Sequence, residues 1–192
     1  MVYAARNEYE SFQVVVSLAT GAAAPIVIES VVLRIPTAPS VQTAFHREHY
    51  INITTLSNCE GAPGLWPDAL IPDVDVFTNE KRNAFPATLM PPLPTTAADS
   101  GGGGGGANQA FWVDLFVPPA GVPAGDHAGT VTVSLRSPPQ SVRDAATASL
   151  PTAFKVTLPI KLHVFGFALP STSKFKTAYA CDTGALVDGT FD

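Results

Sequence analysis

The side chains in this chain whose type and spacing could do chemistry are few: two histidines three residues apart, His46 and His49, three aspartates at 68, 73 and 75, and the aromatic residues Tyr50 and Trp66. The histidines sit in FHREHYINITT, residues 45–55. Its β-branched and aromatic content favours a strand. A strand sends residues three apart to opposite faces, so the two imidazoles cannot share a metal ion. No third ligand lies nearby in the sequence, so neither a zinc site nor any other cofactor is expected. On this reading His49, Ile51 and Ile53 share one face, and His46, Glu48, Tyr50, Asn52 and Thr54 share the other. Asn52-Ile53-Thr54 is an N-glycosylation sequon, which matters only in an exported protein.

The aspartates fall in residues 57–94, a stretch dense in proline and glycine that reads as one long loop. Loops of that length in a compact domain are usually functional or held by a partner. A carboxylate pair can serve as the acid and base of a glycosidase. Asp73 and Asp75, however, are two residues apart in a loop, and Asp68 follows a proline in an ordinary turn, so that role is not expected of them. Trp66, in GLWPD, is open to two readings: an aromatic on a rigid loop that stacks on a sugar or anchors an interface, or a plug at the end of a core. Trp66, Tyr50 and Asp68 are therefore the candidate carbohydrate or interface residues, and Asn52 the candidate glycosylation site.

The elements that must position these residues are strands. In 108–117, Phe111, Val113, Leu115 and Val117 alternate with polar or aromatic neighbours, and in 130–135, Val131, Val133 and Leu135 alternate with Thr130, Thr132 and Ser134. Period-2 patterning marks strands with one buried face. The connector between them carries Pro118, Pro119, Pro123, Gly121, Gly125 and Gly129, so the two runs read as a hairpin. Phe12, Val14, Val16 and Leu18 alternate in the same way, after a charged lead-in (Arg6, Glu8, Glu10) that reads as a solvated ion-pair cluster. Residues 27–35 form another β-rich run. In FKVTLPIKLHVF, residues 154–165, Val156, Leu158, Ile160, Leu162 and Val164 face one way and Lys155, Thr157, Lys161 and His163 the other. His163 reads as a surface residue, and Pro159 as the mark of an edge strand or a bulge. Together these imply an all-β, two-sheet antiparallel β-sandwich, Ig-like or jelly-roll-like, with long loops. Residues 95–107, with glycine at 101–106, and residues 137–153 read as flexible insertions; the glycine run lacks the Lys-Ser/Thr and the helix that a phosphate loop needs.

Composition narrows the function classes. The formal net charge is −5, and only 14% of residues are charged against 46% apolar, where about a quarter charged is usual. A domain so poor in charge has an unusually apolar surface, part of which is expected to pack against a neighbour. No basic cluster exists to neutralise nucleic-acid phosphates. No apolar run approaches the roughly 20 residues of a membrane span. The first residues show no signal peptide, and two cysteines, Cys59 and Cys181, are too few for a disulfide framework.

RNEYESFQVVV, PGLWPDAL, NQAFWVDLFVPPAGVPAGDHAGTVTV and LPIKLHVFGFALPSTS occur in an order that resembles the N-terminal β-sandwich of glycoside-hydrolase-like proteins carrying domain of unknown function 4091. That group is related to glycoside hydrolase family 123, the N-acetyl-β-galactosaminidases. The resemblance covers most of the chain, and RNEYESFQ is its most specific piece. It implies a sandwich over 1–168, a linker beginning with LPSTS, and the first strand of a truncated (β/α)8 barrel within 169–192, near 175–181. It further implies more chain before residue 1, an extracytoplasmic location, glycans as substrates, and catalysis by an Asp-Glu pair in the barrel. No Asp-Glu dipeptide occurs here, so no catalytic residue carries over. The chain is thereby expected to be an accessory domain partnered by the barrel; the alternatives are a free-standing carbohydrate-binding module and a structural Ig-like domain.

Overall fold

The computed structural model describes residues 1–19, 25–56, 61–75, 77–90, 108–137 and 153–171. The polyglycine run, most of the second insertion, Cys59, Cys181 and the expected barrel strand at 175–181 lie outside the described residues. Among those described there is no helix, and nine strands form two sheets.

One sheet has the order β1-β9-β8-β3-β6, built from β1 (Val2–Arg6), β9 (Ala153–Ala168), β8 (Gly125–Arg136), β3 (Ile26–Arg34) and β6 (Ala87–Leu89). The other has the order β2-β7-β4-β5, built from β2 (Glu8–Ser17), β7 (Asn108–Val117), β4 (Gln42–Ile53) and β5 (Gly64–Pro72). The core lies between them. Phe111, Val113, Leu115 and Val117 of β7 are each 0% exposed and face Val131, Val133 and Leu135 of β8, Ile28, Val31 and Leu33 of β3, and Leu162 and Val164 of β9. Burying a phenylalanine such as Phe111 contributes about 1.5–3 kcal/mol, and Phe85 stacks on it with ring centroids 4.9 Å apart.

Three expectations are corrected. The sheets are not wholly antiparallel, because β1 pairs with β9 in parallel. The strands 108–117 and 125–136 do not form a hairpin: β7 and β8 belong to different sheets, so the Pro/Gly connector crosses the end of the sandwich. Residues 57–94 are not one loop, since β5 pairs with β4 and β6 with β3. Proline in GLWPD and in LIP concealed β5, and an edge strand tolerates proline because one side of its backbone needs no partner. Along β4 the face of Phe45 and the isoleucines packs on the core at Phe45 and opens toward Ile51. Ile51 is 37% exposed, whereas Glu48 on the other face is 3% exposed. Pro159 does stand at an edge, because β1 begins pairing only at Leu162 and leaves the first part of β9 with β8 alone.

The charged lead-in is a crossing point and not a solvated ion-pair cluster. β1 ends in one sheet and β2 begins in the other with the single residue Asn7 between them, at φ 62°. Asparagine is among the few residues that tolerate this left-handed conformation. Its backbone N–H donates to Val117 O at 2.7 Å, and its side-chain Nδ2 donates to Leu169 O at 3.0 Å. Leu169 N donates back to Arg6 O at 2.8 Å, and Arg6 Nη2 donates to Gly166 O at 3.0 Å. Glu8 accepts the N–H of Ala5. The start of the chain is thus tied to the end of β9 and, through Asn7, to the opposite sheet.

Substituting Asn7 separates the backbone from the clamp. Asn7→Val should destabilise the protein by about 1–2 kcal/mol more than Asn7→Gly, the cost of placing a Cβ in the left-handed region. Denaturant midpoints of the two variants measure the difference, and both should lose protection of the Leu169 amide in hydrogen exchange.

Candidate functional site

The residues singled out from sequence lie on β4 and β5, but the structure does not bring them together. Cross-strand partners share a face, and Tyr50 is opposite Pro67 while Ile51 is opposite Trp66. Consecutive residues on β4 point to opposite faces, so Tyr50 and Trp66 cannot grip one sugar between them. Trp66 is 45% exposed, and its Nε1 donates to Ala62 O at 2.7 Å, which fixes the indole on the edge strand. It is not a plug in the core. Asp68 is the extra residue where the register shifts between His49–Ala69 and Tyr50–Pro67; it is an exposed bulge residue in β5 and not a turn residue. Asn52 is exposed, opposite Leu65, on the face that carries Tyr50.

The loop aspartates are structural. Asp75 accepts the N–H of Phe77 at 2.9 Å and of Thr78 at 3.2 Å, and its other oxygen meets Arg82 Nη2 at 2.7 Å. The Arg82 hydrogen bond, reinforced by those backbone donors, lowers its carboxyl from 3.8 to about 2. Asp73 lends its carbonyl to Arg82 N at 2.8 Å, closing the same turn. A carboxyl held so acidic cannot keep the proton that a glycosidase acid must deliver.

A polar ladder crosses the outer face of the β2-β7-β4-β5 sheet. In register, Gln13, Trp112 and His46 stand side by side on three strands, next to Ser11 and Asp114. Asp114 Oδ1 accepts from Ser11 Oγ at 2.6 Å and from Trp112 Nε1 at 2.7 Å, while His46 Nδ1 lies 3.7 Å from Asp114 Oδ2. Serine, histidine and aspartate are all present, but the carboxylate sits between the other two. A nucleophilic serine needs the imidazole in that central place to take its proton, so this arrangement does not activate Ser11. Gln13 Nε2 donates to buried Glu48 Oε1 at 2.6 Å, and fully buried Gln109 donates to Glu48 O at 2.8 Å. Burial, and then the Glu48 charge, raise the Tyr50 hydroxyl above its usual value and keep it protonated. The ladder holds the sheet face in one arrangement. His49 lies on the other face, and among the described residues no three His, Cys, Asp or Glu side chains come together to hold a metal ion.

The surface that sequence reasoning missed is on the opposite sheet. Tyr3 of β1 and Phe165 and Phe167 of β9 are 53%, 38% and 56% exposed. Their rings form a continuous stripe: Tyr3 and Phe165 are 6.2 Å apart between centroids with planes at 22°, and Phe165 and Phe167 are 5.7 Å apart at 16°. His163 meets the edge of this group, 5.2 Å from Phe165. A signal for it was present, because Phe165 and Phe167 continue the alternate positions of Lys161 and His163, the face read as solvated. Large aromatics on a face otherwise reserved for charge mark a second apolar surface. Asp126 borders the stripe, bound to Lys161 Nζ at 2.6 Å and to His163 Nδ1 at 2.6 Å, and these partners lower its carboxyl, Lys161 foremost.

Two concavities stand out among the described residues. A cavity of about 560 Å³ opens between the sheets, lined by Val14, Val16, Ile26, Leu135, Val156 and Leu158, at the end where undescribed residues 20–24 and 138–152 connect the strands. A smaller one, about 350 Å³, follows the bend after β3 and is lined by Leu33, Ile35, Pro36 and Val41. Neither gathers convergent polar groups, and no helix among the described residues is long and apolar enough to cross a membrane. No family model and no curated protein sequence matches the chain.

The acidity of Asp75 gives a signed expectation. Its folded value lies below the unfolded one, so its stabilisation of the turn is complete above about pH 4 and is lost as pH falls toward about 2. Amide exchange of Phe77 and Thr78, corrected for its intrinsic pH dependence, should accelerate over that interval. In Asp75→Asn it should be fast already at neutral pH and unchanged on acidification.

Proposed function

We propose that this chain is a non-catalytic accessory β-sandwich that supports a neighbouring domain of a glycoside-hydrolase-like protein. The single observation that carries this reading is that the side chains able to do chemistry are already committed to structure. Asp75 closes a turn with Arg82, Asp114 holds Ser11 and Trp112, and Glu48 is buried against Gln13 and Tyr50. The surface also carries large exposed apolar and aromatic side chains, the character of a domain that packs against something. The resemblance of RNEYESFQ, PGLWPDAL and the strands that follow supplies the identity of the neighbour, a (β/α)8 barrel acting on glycans. Motifs in that order make sense as architecture: Arg6 and Asn7 clamp the exit of β9, and GLWPD is an edge strand. The Ig-like or jelly-roll-like character and an extracytoplasmic location belong to the same proposal.

The exposure of Trp66 favours a second reading, a carbohydrate-binding surface on β5. An indole held by a hydrogen bond to Ala62 and open to solvent can stack on a sugar without first being ordered. On this reading Tyr50 takes no part, since it lies on the other face.

Both readings are tested on the purified 192-residue chain. Against a panel of aryl glycosides that includes N-acetylhexosaminides it should show no turnover, while the complete polypeptide, expressed from the full transcript, should hydrolyse at least one. Turnover by the 192-residue chain would overturn the accessory reading. In a titration with soluble oligosaccharides, the Trp66 surface should bind weakly, and Trp66→Ala should weaken binding about fivefold, matching the ~1 kcal/mol of an aromatic contact. Identical isotherms for the two proteins would remove Trp66 from sugar recognition.

A further inference from the structure

We infer that the aromatic stripe of Tyr3, Phe165 and Phe167, with Leu169 at its end, is the seat on which the following domain of the same polypeptide docks. This rests on the accessory reading above and adds to it the surface. The stripe is contiguous, which soluble domains avoid at large exposed rings unless the surface is used.

The chain's exit identifies that partner. Phe165, Phe167 and Leu169 succeed one another at alternate positions, leading along β9 to the point where the chain leaves the sandwich. There Leu169 is held at both its N–H and its carbonyl, by Arg6 and Asn7. The exit is thus a fixed point at the end of the stripe, and Leu169 itself is 39% exposed. The chain continues for 21 residues beyond 171, from 172 to 192. A domain joined to a fixed point sees the surface beside that point at high effective concentration. Asp126, bound to Lys161 and His163 beside the stripe, forms with them the polar rim expected around an apolar centre.

Hydroxyl-radical footprinting of the 192-residue chain and of the complete polypeptide tests the assignment. Tyr3, Phe165 and Phe167 should be labelled readily in the 192-residue chain and several-fold more slowly in the complete polypeptide. Trp66, on the far edge of the other sheet, should be labelled equally in both. The double variant Phe165→Ser, Phe167→Ser, made in the complete polypeptide, should leave both domains folded by circular dichroism yet make the linker around residue 171 several-fold more sensitive to protease. Equal ring labelling in a complete polypeptide that does carry a folded second domain would overturn the docking surface and leave the accessory reading standing. A full transcript encoding no second domain would overturn both. Ring protection that appears in the 192-residue chain itself and rises with its concentration would assign the stripe to a second copy of this chain.

Discussion

The rest of the sandwich depends on one left-handed residue. Asn7 is the whole connection between β1 and β2, and those strands lie in different sheets. A crossing of one residue leaves little freedom in how the sheets approach each other at that end, and the hydrogen bond from Asn7 N to Val117 O fixes the approach at the close of β7. The same residue, with Arg6, holds Leu169 and Gly166 more than 150 positions away. The beginning of the chain, the end of the central core strand and the exit from β9 therefore meet at a single joint. Such a joint explains why a short polar motif is conspicuous in an otherwise apolar, sparsely charged sequence: the backbone there must turn, and it must carry its own hydrogen-bond partners.

From that joint the two sheets diverge in character. The inner faces are mainly apolar and pack around β7, with Gln109 and His127 as buried polar residues among them. The outer face of the β2-β7-β4-β5 sheet is sealed by a polar ladder in which Asp114 and Glu48 accept the available donors, so side chains that look chemically able are spent on holding strands in register. The outer face along β1 and β9 has aromatic rings where charge is expected, and β5 exposes Leu65, Trp66 and Leu70. With so few charged residues overall, this unevenness is informative. Some of the charge among the described residues is paired, as in Asp75 with Arg82 and Asp126 with Lys161.

What was legible in the sequence follows from locality. A strand's period of two is a property of its own backbone, so the alternation in 108–117, 130–135 and 154–165 was readable before any partner was known. The inward positions Phe111, Val113, Leu115, Val131, Val133, Leu135, Leu162 and Val164 are all buried. The same locality explains the failures. Strand β5 was hidden because proline is penalised only where both backbone edges are paired, and whether a strand is an edge is not a local property. Alternation placed Ile51 and Glu48 on opposite faces of β4 but did not say which is covered: Ile51 is 37% exposed, whereas Glu48 is buried and accepts from Gln13 of its own sheet.

The sequence by itself thus determined that the described part of the chain is all-β and which residues of its alternating runs share a face. Only the tertiary structure decided which of those faces is covered and by what. It placed β7 and β8 in different sheets, paired β1 in parallel with a strand some 160 residues distant, and separated Tyr50 from Trp66 across a sheet. It also left Tyr3, Phe165 and Phe167 in the open beside a clamped exit. The physical reason is that side-chain alternation is written residue by residue, whereas pairing and cover come from hydrogen bonds and packing between segments far apart in the chain, and no local pattern specifies them.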